Sequence, residues 1–128
     1  MGKTLVAVLG IGKGTWGHVA RLIADQPFEK ALLISNEWGK ENFSLEKEPN
    51  AAKMPQDKKP QFEWVMVNNR AGFEIIKDEI KKRLPEGEVA ISLVSGSGKE
   101  HMAVLAALKE KKMGFEVVIL TGNGTKYY

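Results

Sequence analysis

The stretch Ile91-Ser92-Leu93-Val94-Ser95-Gly96-Ser97-Gly98-Lys99-Glu100-His101-Met102 decides how this chain is read. Residues 89–94 are apolar enough to be covered on both faces, as a central parallel strand is. Ser95-Gly96-Ser97-Gly98 carries almost no side-chain bulk, so its backbone N–H groups lie open. A helix then starts at Lys99. Its N-terminus brings partial positive charge and Lys99 a full one, while Ser95 and Ser97 bring hydroxyls. Together they form a seat for a phosphate. A plain βα turn with a surface lysine is the other reading of the same residues.

Outward from this stretch the chain alternates strand and helix. Residues 4–9 (TLVAVL) read as a first strand, followed by the glycine-rich turn Gly10-Ile11-Gly12-Lys13-Gly14-Thr15 and a helix over 16–25 with Val19, Leu22 and Ile23 as its apolar stripe. Residues 30–35 (KALLIS) are a second strand, with Asn36-Glu37-Trp38-Gly39 at its carboxyl end. Residues 40–60 hold three prolines and many charges. They read as a long connection, either a lid or a plain mobile loop, with one short helix over 41–46. Residues 62–67 (FEWVMV) form the third strand. Asn69 is placed to cap a helix over 70–84. After the fourth strand, the helix over 99–113 is expected to bury Met102, Leu105, Ala106 and Met113, and to end at Gly114. Residues 116–120 are the fifth strand, and 121–124 turn into a short segment over 125–128.

This alternation predicts one α/β domain over 1–128: a three-layer, Rossmann-like open parallel sheet of order 3-2-1-4-5, with a sixth strand available from the C-terminal segment. In that order the first and fourth strands are neighbours where the chain reverses direction across the sheet, which is where open α/β sheets bind ligands. The loops over 10–15 and 95–99 should therefore lie side by side.

Composition narrows the classes. At 128 residues, 43% hydrophobic and 27% charged, the chain suits one soluble core with no membrane-length apolar run. It has no cysteine, which removes disulfides, cysteine zinc sites and thiol chemistry and makes a cytoplasmic location the default. Two histidines are too few for most transition-metal sites and leave only a carboxylate-held magnesium ion open. The net charge of +3 is spread among mixed Lys/Glu runs, without the basic stripe that duplex DNA binding needs.

Other motifs compete. Gly12-Lys13-Gly14-Thr15-Trp16-Gly17 spells GxGxxG, and Glu37 lies about 20 residues on, as in a dinucleotide site. Trp16 is bulky for that role. A Walker loop needs a glycine where this chain has Leu93. Trp16 and Trp38 fall at strand ends, where indoles either stack on bases or pack helix ends. Trp64 reads as core and His18 as structural. His101, in the first turn of its helix, is placed to contact a phosphate or move a proton.

Ser95-Gly96-Ser97-Gly98-Lys99-Glu100-His101-Met102 resembles the Ser/Thr-Gly-Gly-Thr-Lys-x-Met signature that follows the fourth strand of CRISPR-associated Rossmann-fold (CARF) domains. Lys99 and Met102 match. Gly98 is an insertion ahead of the lysine, and the first loop matches in position only. The resemblance implies a homodimer that binds a cyclic oligoadenylate across its two-fold axis. Lys99 and the amides of Gly96, Ser97, Gly98 and Lys99 would hold phosphates, and Ser95 with the first-loop residues Gly10, Gly12, Lys13 and Gly14 would line the ligand site. Trp16 or Trp38 would stack adenines, and Asn36 or Glu37 would read their edges. A stand-alone domain of this kind would be a sink for the messenger or a metal-independent ring nuclease. In the nuclease, Lys99 would stabilise charge, Thr15 or Ser97 would position the ribose 2′-OH, and His101 would act as acid or base. No cofactor, membrane or duplex DNA is called for. The competing classes are a dinucleotide (NAD/FAD) module and an adaptor subunit without a small ligand.

Overall fold

A computed structural model of the chain describes residues 2–10 and 15–128. Strands β1 (Thr4–Val8), β2 (Lys30–Ser35), β3 (Gln61–Met66), β4 (Val89–Ser92), β5 (Glu116–Thr121) and β6 (Gly124–Tyr127) form one sheet of order β3-β2-β1-β4-β5-β6. The first five are parallel, and β6 turns back antiparallel on β5 through Gly124 at φ +101°. The expected order and the C-terminal strand are both present. β1 lies at the centre and is buried along its whole length, which is why TLVAV has no polar-out alternation.

Alternate residues of β1 feed two cores. Leu5 and Ala7 face helix α1 (Trp16–Asp25), with Leu33, Leu22 and Ile23. Val6 and Val8 face helices α4 (Phe73–Arg83) and α5 (Gly98–Glu110), with Leu32, Ile34, Ile80, Ile91 and Leu108. The result is three layers. Each fully buried Leu or Ile contributes roughly 1.5–3 kcal/mol.

The segment after β2 departs from the expected long loop. It is a run of short helical turns: α2 (Glu37–Asn42), a 3₁₀ turn (Leu45–Lys47), α3 (Pro49–Ala52) and another 3₁₀ turn (Gln56–Lys58). Prolines at turn starts cost nothing there. Ala51 is fully buried, and Phe43, Leu45 and Met54 pack on the α1-side core. These scattered apolar residues lack a helical period, which hid them in the sequence.

Further corrections concern the ends and faces of individual elements. The cap of α4 is Gly72, not Asn69, because Asn68 Oδ1 accepts the Arg70 N–H at 2.9 Å and holds residues 68–72 in a turn first. α5 buries Ala103, Val104, Ala107 and Leu108, while Met102 is 58% exposed and Leu105 and Met113 pack at the margin. α5 packs closely against α4, and the stripe that carries two alanines faces inward in place of the bulkier one. α5 ends at Glu110, and its left-handed C′ residue comes two positions before the expected Gly114. Lys112 takes the left-handed position at φ +55°, its N–H bonds Lys109 O at 3.0 Å, and Met113 N–H bonds Leu108 O at 2.9 Å. That pair of bonds is a Schellman motif built on a lysine. β4 stops at Ser92, and Val94, expected in the strand, is 45% exposed.

Lys77 is buried between α4 and α5, with Nζ at 2.8 Å from both Glu74 and Glu110. These carboxylates hold its ammonium well above the ordinary lysine range, and Lys77 with Lys81 holds Glu110 below the usual carboxylate range.

Candidate functional site

The β1 and β4 ends meet as the topology requires. The Gly10 N–H donates to Ser95 Oγ at 2.8 Å, and the Trp16 indole N–H donates to Gly10 O at 3.0 Å. A Cβ built on Gly10 would lie 2.7 Å from Gly96 N, so the two turns touch backbone to backbone and only glycine fits. Ser95 is 2% exposed, and its side chain is spent on this junction. On its other side, His101 Nε2 lies 2.7 Å from Ser95 O. A carbonyl only accepts, so Nε2 carries the hydrogen and Nδ1 is left as the basic nitrogen of the neutral ring.

The α5 N-terminus is partly filled from within. Glu100, 5% exposed, takes the Ser97 N–H at 2.8 Å and the Ser97 Oγ–H at 3.0 Å on one carboxylate oxygen. An internal anion thus occupies part of the expected phosphate seat. Lys99 is half-buried and reaches sideways: its ammonium donates to Asn69 O at 2.8 Å and Ala71 O at 2.9 Å. Gly98 opens α5 with nothing near its Cβ position, so the inserted glycine is not required by packing.

Beside this junction lies an open cleft of about 640 Å³, lined by Asn36, Glu37, Trp38, Met66, Val67, Asn68, Asn69 and Arg70. It is built by two turns. Asn36 caps α2 by accepting the Gly39 N–H at 2.8 Å, which sets Glu37 and Trp38 at the rim. Asn68 organises the opposite turn. Trp38 is 41% exposed and its ring lies 5.4 Å from that of Trp16. Trp16 is only 6% exposed and also meets Phe43 edge-on, so it packs the helix end and backs Trp38.

Of the expected site residues, Gly10, Ser95, Gly96, Ser97, Lys99 and His101 gather at the junction, and Asn36, Glu37 and Trp38 line the cleft. Thr15 caps α1 without a side-chain cap bond. Gly12, Lys13 and Gly14 lie outside the described residues. Met66, Asn68, Asn69 and Arg70 are not among the site residues expected from sequence, where Asn69 reads only as a helix cap. The polar run Asn68-Asn69-Arg70 directly after a strand was the available signal. Gly17 has open space at its Cβ position, so the close helix packing that a dinucleotide fingerprint asks of its last glycine is absent here. His18 is exposed on α1, and Trp64 is half-buried, edge-on to Phe43. Among the described residues no three His, Asp or Glu side chains gather as a metal cage, and no helix is long and apolar enough to cross a membrane.

No family model and no curated protein matches the chain. Among solved structures, the fold is similar to that of Enterococcus italicus Csm6 bound to cyclic hexa-2′-fluoro-hexa-dAMP, with a TM-score of 0.63 at 14% identity. The match covers 94% of this chain and 34% of that one, so the chain spans about a third of the solved protein's length. What the likeness shows is the shared three-layer α/β fold.

Proposed function

We propose that the strand-end face binds a cyclic oligoadenylate messenger of CRISPR antiviral signalling. The observation that carries this reading is the interlock of the β1 and β4 turns, Gly10 N–H on Ser95 Oγ at 2.8 Å, beside a cleft walled by Trp38. It is supported by the fold's likeness to a protein solved with a cyclic hexanucleotide. Trp38 offers a face for an adenine, and Asn36 and Glu37 offer donors and acceptors for its edge. A symmetric ring of nucleotides suits two copies of the site, and the binding unit is a homodimer.

The same face is proposed to open the ring without metal. A ribose 2′-oxygen attacks the adjacent phosphorus, the P–O5′ bond breaks, and the proton lost from the 2′-OH ends on the leaving 5′-oxygen. The products are a 2′,3′-cyclic phosphate and a 5′-hydroxyl. Such a reaction depends on in-line placement and on positive charge at the phosphorane. Of the residues expected to serve it, His101 keeps Nδ1, Thr15 and Ser97 would orient the 2′-hydroxyl, and Lys99 has two of its three hydrogens held by main-chain carbonyls. Labelled cyclic tetra- and hexa-adenylate, mixed with the protein in EDTA, test both steps from one tube. A shifted band on a native gel with linear products is the expected result. A shift without products leaves binding and removes cleavage. No shift with either ring, from protein that is folded by circular dichroism, overturns the reading.

A further inference from the structure

An anion at this face needs a positive charge that is free to meet it, and the β4–α5 turn is poorly supplied. Glu100 already takes the Ser97 N–H, and Lys99 spends two of its three hydrogens on main-chain carbonyls. Those carbonyls belong to Asn69 and Ala71, the residues on either side of Arg70. Lys99 therefore grips the β3–α4 turn on both flanks of that arginine, from about 30 residues away in the chain. Asn68 Oδ1 adds a third hold by accepting the Arg70 N–H at 2.9 Å. Arg70 itself is exposed and lines the cleft that Trp38 walls, and among the described residues its guanidinium has no carboxylate within ion-pair distance.

We propose that Arg70 is the phosphate-binding cation of the cleft and that Lys99 is the positioning residue that presents it. This rests on the nucleotide reading above. A guanidinium gives phosphate two parallel N–H bonds. A backbone pinned on both sides loses little further freedom on binding, so more of that interaction appears as affinity. The lysine acts through the turn it holds, at the cost of most of its own hydrogen-bonding capacity.

Adenosine and adenosine 5′-monophosphate serve as probes, titrated at up to millimolar concentration and followed by NMR. The native protein should bind the monophosphate roughly tenfold more tightly than the nucleoside, the scale of one charge-assisted hydrogen bond. Arg70→Ala should abolish this advantage while leaving adenosine affinity within about twofold, and Arg70→Lys should restore part of it. Lys99→Met, which keeps chain length without charge, should reduce the advantage in the native background and change nothing further in the Arg70→Ala background. A monophosphate advantage that survives Arg70→Ala overturns the assignment of Arg70. A Lys99→Met loss of equal size in both backgrounds makes Lys99 a direct contact and overturns its positioning role. Adenosine binding with no monophosphate advantage in the native protein overturns this inference and leaves the nucleotide reading in place. Failure of the folded protein to bind either probe removes both.

Discussion

Gly96→Ala is expected to cost about 3 kcal/mol of stability, which for a chain of this size lowers the melting temperature by roughly 10 °C. Two costs add. Gly96 sits at φ +99°, where a residue with a Cβ is strained by about 1–3 kcal/mol. A Cβ there would also run into the Val8 Cγ1 methyl. Val8 is 1% exposed in the central strand and cannot yield, so the overlap behaves as overpacking of a core. The control lies two residues on. Gly98 has open space and opens a helix, so Gly98→Ala should be neutral or stabilising by up to about 1 kcal/mol. Thermal melts followed by circular dichroism check both. Equal melting temperatures for the two variants would contradict the interlock of the turns.

The two tryptophans at the strand ends should separate just as sharply. Trp16→Ala removes a side chain that is 6% exposed and leaves Gly10 O without its indole partner, a loss of about 3–5 kcal/mol. Trp38→Ala removes a side chain that is 41% exposed and should cost about 1 kcal/mol or less of stability. Its expected effect is on ligand binding: a lost base stack of about 1–3 kcal/mol weakens a bound adenine by roughly 5- to 150-fold. Melts and nucleotide titrations on both variants check this. A Trp38→Ala protein with native affinity would remove the stacking wall from the account.

Much of this architecture was legible in the residues. The largely apolar TLVAV and KALLIS runs read as central strands, and right-handed crossovers then left little choice of order. That order alone placed Gly10 beside Ser95. The fate of Lys99 was not legible, because a lysine after a glycine-rich turn reads as a free charge until the fold brings the Asn69 and Ala71 carbonyls to it. Nor was the burial of Glu100, whose carboxylate turns inward onto Ser97. The phase of α5 was misjudged because methionine and leucine outweigh alanine in hydrophobicity. Closeness of packing favours alanine instead, and Met102 is left outside. The cleft was half visible. Asn36 and Trp38 stood out beside a strand end, whereas Asn68 and Arg70 acquire meaning only when β3 is seen next to β2.

The central claim is that the cleft and the β1–β4 junction together form a cyclic oligoadenylate site. Amide and indole NMR shift mapping tests it most directly, with uniformly ¹⁵N-labelled protein titrated with cyclic hexa-adenylate in EDTA. Saturable shifts at the Trp38 indole and at the Asn36, Asn69, Arg70 and Gly96 amides, with β6 at the far edge of the sheet unmoved, are the predicted result. A spectrum that stays unchanged at saturating ring, or shifts confined to surfaces away from these turns, would contradict it.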